Sequence, residues 1–405
     1  MNQRAFELFL LSLQQDPAGD SLRRLQQASA EDWRQIANLA QQFALAPLQY
    51  FRLKRAGYPL PEDVAGSLKN TYLRNTARNI NLLNQLNEML AKLQGEGIAA
   101  IVLKGGYLSE AVYEEIGLRV MADLDLLIPL DELERSIEVL EALGYKPIRP
   151  YFHEVDGTLH FHAPPLEKDG CVVELHWKLA LDRNPAPVNI DEVWSRAQPF
   201  VLENLTTQAL GLSDLILHLG VHTAYGHQFS SQLHAVVDLA VVLRKFREQV
   251  DWNEFIRICR EWKTERGIYL MFRLAQDLMN AELPEAAMLA LRPANWSEDA
   301  LDWAKTILTR STPSLSENFI QFMHGTSTGE RIQALVKGLF PSRAGMAMIY
   351  GFPPDSPQIL RLYPRHVLTR LSRYWGFALK SIRGDEQQVS ESISSQRLRE
   401  WLERD

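Results

Sequence analysis

Two aspartates, Asp123 and Asp125, lie two residues apart in the apolar segment 121–128, whose composition predicts a β-strand. Alternate residues of a strand point to the same face, so both carboxylates project together. Adjacent carboxylates repel each other unless a cation lies between them. The pair therefore indicates a site for Mg²⁺, or for Mn²⁺ in its place, with oxygen ligands from protein and phosphate.

A Lys-Gly-Gly turn precedes these aspartates. Lys104, Gly105 and Gly106 follow the apolar run 98–103, and a helix is expected over 106–116. Glycines at the start of a helix let backbone N–H groups approach a phosphate closely. Taken alone, such a turn more often only connects two elements, and an Asp-x-Asp pair is often structural. The combination of the two is what favours nucleotide chemistry.

A third carboxylate lies on a later strand. The β-branched and apolar segment 171–177 predicts a strand on which Glu174 and His176 share one face. A carboxylate among apolar neighbours is unfavourable unless it is paired or binds a metal. Glu174 is therefore either a metal ligand or a rim residue paired with a lysine such as Lys178. His176 either orients a carboxylate, contacts the nucleotide or packs in the core.

These motifs, in this order, resemble the uncharacterised nucleotidyltransferase family, whose domain has the DNA polymerase beta-type nucleotidyltransferase fold. The matching residues are Leu103-Lys104-Gly105, Arg119, Asp123-Leu-Asp125 and Glu174-Leu-His-Trp177. The resemblance covers most of the chain. It implies an enzyme that moves a nucleoside monophosphate from an NTP to a hydroxyl acceptor and releases pyrophosphate. The acceptor stays open between a protein hydroxyl, an RNA end, a sugar and another small molecule.

The resemblance also implies roles for these residues. Asp123, Asp125 and Glu174 would hold Mg²⁺, and Glu174 would share the acceptor-side ion. The residues that would bind the nucleotide phosphates are Lys104, Gly105, Gly106 and Arg119. One departure stands out, because the Gly-Ser doublet of active polymerase beta-type enzymes is Gly-Gly here. A backbone cradle survives that change, whereas the contact of the serine hydroxyl does not.

A polar stripe follows on a predicted helix. Asp214, His218 and His222 lie at positions i, i+4 and i+8, and Asp238 comes later. We expect these four residues and His176 to line the cleft. A second metal site and a purely structural role are the alternatives, although the glutamate of zinc-protease helices is missing. Two other functions stay open: a nucleotide- or partner-binding protein without turnover, and a metal-dependent phosphohydrolase centred on His218, His222 and Asp238.

Composition sets broader limits. The chain has 405 residues and a net charge of −7, which argues against broad electrostatic capture of nucleic acid. Its two cysteines, Cys171 and Cys259, argue against a disulfide framework. No apolar run approaches the ~20 residues of a membrane span. The segment 5–13 reads as an amphipathic helix rather than a signal peptide, so we expect a cytoplasmic protein.

The predicted fold is of the α+β class. A small mixed β-sheet forms the nucleotidyltransferase core, flanked by N-terminal and C-terminal helical regions. The expected division is an N-terminal helical region over 1–95, the nucleotidyltransferase core over 96–205, a helical domain over 206–310, and a mostly helical C-terminal region over 311–405 with a frayed tail. An Asp-Gly turn at 156–157 predicts a hairpin before the strand at 171–177.

Overall fold

The computed structural model describes residues 2–14, 19–148, 161–180, 188–309, 328–350, 352, 356–382 and 386–403. The chain falls into two compact units. The first contains residues 1–148, 156–227 and 232–296, and the second consists chiefly of residues 297–405. The hairpin predicted around 156–157 lies outside the described residues. The four-part division expected from the sequence remains a prediction.

A seven-stranded mixed sheet lies in the first unit and confirms the α+β class. Its strands are β1 (Ile101–Val102), β2 (Leu124–Leu127), β3 (Lys146–Pro147), β4 (Leu166–Lys168), β5 (Cys171–His176), β6 (Gln198–Leu202) and β7 (Leu205–Ala209). The spatial order is β3-β4-β5-β2-β1-β7-β6. β2 and β5 are parallel neighbours, β1 and β7 are also parallel, and the remaining pairs are antiparallel.

Helices make up most of the rest of the first unit. They are α1 (Gln3–Ser12), α2 (Asp20–Gln26), α3 (Ala30–Gln42), α4 (Ala46–Arg55), α5 (Glu62–Gly95), α6 (Lys104–Tyr107), α7 (Leu133–Ala142), α8 (Ile190–Ser195), α9 (Leu212–Val221), α10 (Leu233–Phe246), α11 (Trp252–Glu261), α12 (Glu265–Met279) and α13 (Glu285–Leu291). Single π turns span Leu108–Val112 and His222–Gly226, and 3₁₀ turns span Leu130–Glu132 and Arg247–Gln249. No helix in the described part of the chain is long and apolar enough to cross a bilayer. Both cysteines are buried free thiols.

The second unit is helical where the structure describes it. Its helices span Glu298–Leu308, Thr328–Leu339, Arg343–Tyr350, Gln358–Ile382 and Glu386–Glu403. A small core forms around Met346, Ala347 and Ile359.

Several predicted elements differ in extent from the observed ones. The strand expected over 121–128 contains only Leu124–Leu127, so Asp123 lies just before it. The strand expected over 98–103 contains only Ile101 and Val102. The helix expected over 106–116 was wrong beyond Val112, because Tyr113 is extended (φ −74°, ψ 152°). That conformation accompanies a buried hydrogen bond of 2.6 Å from the Tyr113 hydroxyl to Asp238. A contact between residues so distant in sequence leaves no periodic signal.

The long helix α5 holds the loop that carries Arg119. Two buried asparagines, Asn75 and Asn79, face this loop. The Asn79 amide donates to the carbonyls of Ile116 at 2.6 Å and of Arg119 at 2.8 Å, and Asn75 donates to Gly117 and Arg119. Because buried carbonyls need partners, these bonds fix the path of the backbone at Arg119.

We therefore expect Asn79→Ala to lower the free energy of unfolding by about 2 kcal/mol, since the Ile116 carbonyl loses its partner and a small cavity remains. Asn70→Ala is the matched control, because Asn70 is exposed on the same helix. It should change stability by less than about 0.5 kcal/mol. Urea unfolding of both variants measures the difference. Equal stabilities would show that the loop does not depend on Asn79.

Candidate active site

Asp125 is the buried centre of the candidate site. Its side chain is 1% exposed, and both Lys104 Nζ, at 2.9 Å, and His176 Nε2, at 2.8 Å, bind the same oxygen, Oδ1. Burial alone would raise the pKa of Asp125, but Lys104 and His176 outweigh it and hold that pKa well below its usual range. The second oxygen, Oδ2, has no hydrogen-bond partner among the described residues. Asp125 is therefore an anion at neutral pH with one lone-pair face uncommitted.

Glu174 lies beside Asp125 because β2 and β5 are parallel and in register. The residue opposite Asp125 is Glu174, and the residue opposite Leu127 is His176. His176 Nε2 lies 3.5 Å from Glu174 Oε2. One ligand atom from each of Asp125, Glu174 and His176 lies within 4.8 Å of the others. Two carboxylates and one imidazole thus converge on a single point at the face of the sheet.

Asp123 adds a third carboxylate just before β2. Burial and the charges of Asp125 and Glu174 raise its pKa to about 6, against the opposing pull of Lys104 and Arg119. The raised pKa indicates that the positive charges of Lys104 and Arg119 do not offset burial and the negative charges of the two neighbouring carboxylates. A divalent cation would relieve this repulsion. Together with the uncommitted Asp125 Oδ2, the donor set fits a hard ion such as Mg²⁺ bound by oxygen ligands.

The Lys-Gly-Gly turn lies directly against this centre. The Leu103 amide donates to the Asp125 carbonyl at 3.0 Å, and Lys104 adopts a left-handed conformation (φ 36°) as its ammonium reaches Asp125. The four-residue helix α6 then begins. Gly105 and Gly106 are both buried, and each is required by packing. A Cβ on Gly105 would lie 2.6 Å from Arg119 Nη1, and one on Gly106 would lie 2.9 Å from Val102.

Arg119 is fixed by Asp238 of α10. Its guanidinium forms an ion pair with the Asp238 carboxylate through Nε and Nη2, at 3.0–3.1 Å. The Tyr113 hydroxyl donates to the same carboxylate. Burial lowers the pKa of Arg119, but Asp238 outweighs burial and raises it, so the cation is permanent. Asp238 therefore holds Arg119 behind Gly105 rather than joining the histidines.

A π turn brings two histidine rings into an edge-to-face contact, with centroids 4.5 Å apart. His222 and His227 flank the turn at i and i+5, and the His227 amide donates to the His222 carbonyl. Their Nε2 atoms lie 3.0 Å apart. His218 packs against His222, with ring centroids 5.7 Å apart. Burial and the positive charge of Lys104 lower the pKa of all three rings, that of His218 to about 3.

The histidines lie near the carboxylates, whereas Asp214 binds a different partner. The charges of Lys104 and Asp125 act on the rings of both His218 and His222. Asp214 instead forms a bidentate ion pair with Arg196, with both contacts at 2.8 Å. Within the described residues, the ligand cluster consists of Asp125, Glu174 and His176 and does not include His218, His222 or Asp238. The arrangement expected for a phosphohydrolase centre is not assembled.

Two further histidines near the site, His162 and His227, were given no role in it from the sequence. The Nδ1–H of His162 donates to the carbonyl of the next residue, Ala163, and the charge of Glu174 acts on the His162 ring. The charges of Lys104 and Glu174 likewise act on the ring of His227. The signal for His227 was its five-residue spacing from His222, which matches a π turn but not an α-helix. No sequence pattern marks His162.

The residues of the candidate site lie in a part of the chain that matches a known protein family. The sequence model of the uncharacterised nucleotidyltransferase family matches residues 29–280. The chain belongs to this family. No curated protein and no solved structure shows significant similarity to it. The matched residues include β1, β2, β5 and helices α4 to α12, and so contain every residue of the candidate site.

The opposite pKa shifts of Asp123 and Asp125 predict opposite effects of removing each charge. The folded-state pKa of Asp123 is raised, so its ionisation destabilises the fold as pH rises from about 4 through 6. In EDTA at pH 7, Asp123→Asn should raise the free energy of unfolding by about 1–3 kcal/mol. That gain should vanish below about pH 4, where Asp123 is protonated in both states.

Asp125→Asn should instead destabilise the protein by about 3 kcal/mol, because it leaves Lys104 and His176 without their buried partner. The stability that Asp125 contributes is present above its unfolded-state pKa and is lost as pH falls toward its depressed folded-state pKa. Urea unfolding at several pH values compares the two variants. If both shift stability in the same direction at pH 7, the assigned electrostatics are wrong.

Proposed function

We propose that the protein is a Mg²⁺-dependent nucleotidyltransferase that moves a nucleoside monophosphate from an NTP to a hydroxyl acceptor and releases pyrophosphate. One observation carries this proposal. The carboxylates of Asp125 and Glu174 and the imidazole of His176 converge at the face of the sheet next to a Lys-Gly-Gly turn. Asp123 lies close enough for the charges of the two carboxylates to raise its pKa. Membership of a nucleotidyltransferase family supports the reaction class.

Asp123, Asp125 and Glu174 would hold the metal, with Mn²⁺ as a substitute for Mg²⁺. When bound, a divalent ion would supply positive charge that stabilises the negative charge of phosphoryl transfer. The protein orients these ligands in advance. His176 and Lys104 both bind one oxygen of Asp125 and leave the other without a hydrogen-bond partner among the described residues. Such preorganisation is where the fold contributes to transition-state stabilisation.

Lys104, Gly105, Gly106 and Arg119 would serve the phosphates. The first turn of α6 leaves backbone N–H groups without partners inside the helix, and these groups suit phosphate oxygens. The ammonium of Lys104 and the guanidinium of Arg119 supply positive potential behind the turn. Neither cation is freely mobile, because Asp125 holds the first and Asp238 holds the second. Both cations would therefore stabilise the phosphates through their electrostatic field more than through direct hydrogen bonds.

Glu174 and the histidines would serve the acceptor. Burial raises the pKa of Glu174, but the hydrogen bond from His176 and the charge of His162 outweigh it and lower that pKa. Glu174 is thus ionised at neutral pH and would orient the acceptor hydroxyl and take its proton. His222 and His227, neutral at pH 7, would line the cleft as hydrogen-bonding groups. The acceptor could be a protein hydroxyl, an RNA end, a sugar or another small molecule. Its class determines which molecule occupies this side of the site.

The experiment follows label from each α-³²P-labelled NTP into a cell lysate in the presence of protein and Mg²⁺. Asp123→Asn is the informative variant, because it removes a carboxylate while stabilising the fold. It should lower the transfer rate on the order of 10³-fold, since weaker metal binding removes charge stabilisation from the transition state.

Asp131→Asn provides the matched control, because Asp131 is an exposed aspartate eight positions away from Asp123. It should transfer label at the wild-type rate. EDTA should abolish transfer in every sample. Wild-type activity in Asp123→Asn would place the chemistry outside these carboxylates.

A further inference from the structure

A recess in the first unit is lined by Tyr113, whose hydroxyl donates to Asp238. It has a volume of about 270 Å³ and is formed by α4, the end of the first π turn and α10. Its cationic side chains are Arg52, Arg55, Arg244 and Lys245, and its one carboxylate is that of Glu114. In a chain with a net charge of −7, such a concentration of positive charge is unusual. The recess attracts anions.

The floor of the recess is apolar. The side chains beneath the cations are Leu48, Phe51, Val112, Leu118 and Val241, with the ring of Tyr113 among them. An apolar floor under a rim of convergent polar groups is the usual form of a small-molecule site. The half-buried ring of Phe51 offers a face on which a flat group can stack.

The walls are held in place before any ligand binds. Lys245 Nζ donates to the Ala111 carbonyl at 2.8 Å, which ties α10 to the π turn. The Tyr113 hydroxyl is fixed by Asp238, and Arg55 pairs with Glu114 at 2.7 Å. Because these contacts already position Arg55 and Lys245, these two side chains would need little further ordering when a ligand binds.

We propose that this recess binds a small phosphate-bearing molecule with a flat or apolar remainder, of the size of a nucleoside monophosphate. The phosphate would lie between the guanidinium groups of Arg52 and Arg244, which suit bidentate contact with its oxygens. The uncharged part would lie on Phe51 and the aliphatic floor. The carboxylates at the face of the sheet take no part, so the site stands independently of the nucleotidyltransferase proposal.

The test is calorimetric titration of the whole protein with AMP and, separately, with inorganic phosphate, both in EDTA. Without a divalent ion, the carboxylate-rich site repels nucleotides, whereas the basic recess does not. Wild-type protein should bind one AMP per chain, and phosphate more weakly. Arg52→Gln combined with Arg244→Gln should weaken AMP binding about tenfold or more, because two charge-assisted hydrogen bonds are lost. Phe51→Ala should weaken AMP binding and leave phosphate binding unchanged.

The matched control is the double variant Arg34→Gln, Arg135→Gln, which removes the same charge from exposed arginines paired elsewhere. Its AMP affinity should stay within about twofold of wild type. Should the double variant in the recess lose its thermal transition, Arg244→Gln alone carries the test, since Arg244 is exposed.

Three results would overturn the proposal: no binding of AMP or phosphate in EDTA, equal weakening by the control variant, or loss of AMP binding in Asp123→Asn. The last result would mean that nucleotides occupy the carboxylate site instead. Conversely, AMP binding that survives in a transfer-inactive Asp123→Asn protein would separate this site from the proposed reaction. Failure of label transfer by itself leaves the recess unaffected.

Discussion

The buried charge of Asp125 is the constraint around which the rest of the candidate site is built. A carboxylate that is 1% exposed is tolerated only with compensating partners, and here Lys104 and His176 supply them. Lys104 reaches Asp125 from a left-handed backbone conformation, which is unfavourable for a residue with a Cβ. The ion pair therefore holds the Lys-Gly-Gly turn in a shape that the turn would not adopt alone. One buried anion thus fixes the positions of both Lys104 and His176.

A second buried ion pair connects the site to the helical part of the first unit. Arg119 lies in the loop that Asn75 and Asn79 of α5 hold, and its guanidinium forms an ion pair with Asp238 of α10. Gly105 lies against the Arg119 guanidinium because no side chain fits between them. The sheet, the turn and α10 are thus connected through charged groups rather than through apolar packing alone. Removing one partner of either pair leaves a buried charge uncompensated, which is strongly destabilising.

Much of this centre could be predicted from the sequence because strand periodicity and register are local properties. The alternation around Asp125 and Glu174 placed each carboxylate on one face of its strand, and the parallel pairing of β2 with β5 then made them neighbours. The chain order of the motifs also indicated the family, which the comparison confirmed. The hairpin of β6 and β7 was missed, since its polar residues, such as Thr206 and Gln208, give a weak strand pattern.

Partners across long sequence separations could not be predicted. Nothing near Asp238 in the sequence indicates that it binds Arg119 and Tyr113, and it was grouped with His218 and His222 only because it follows them in the chain. Helical spacing placed Asp214 in one stripe with these histidines, although Arg196 holds it. The π turn at His222 breaks the periodicity on which such a stripe depends. Pairing of charges is decided by tertiary packing, which sequence spacing does not encode.

The central claim is that the three carboxylates bind a divalent cation. Titration with Mn²⁺, followed by water-proton relaxation, measures this directly in the wild-type protein and in Asp123→Asn and Glu174→Gln. The account predicts saturable Mn²⁺ binding in wild type, competed by Mg²⁺ and weakened about tenfold or more in each variant. Mn²⁺ binding that is absent from wild type, or unchanged in both variants, would contradict it.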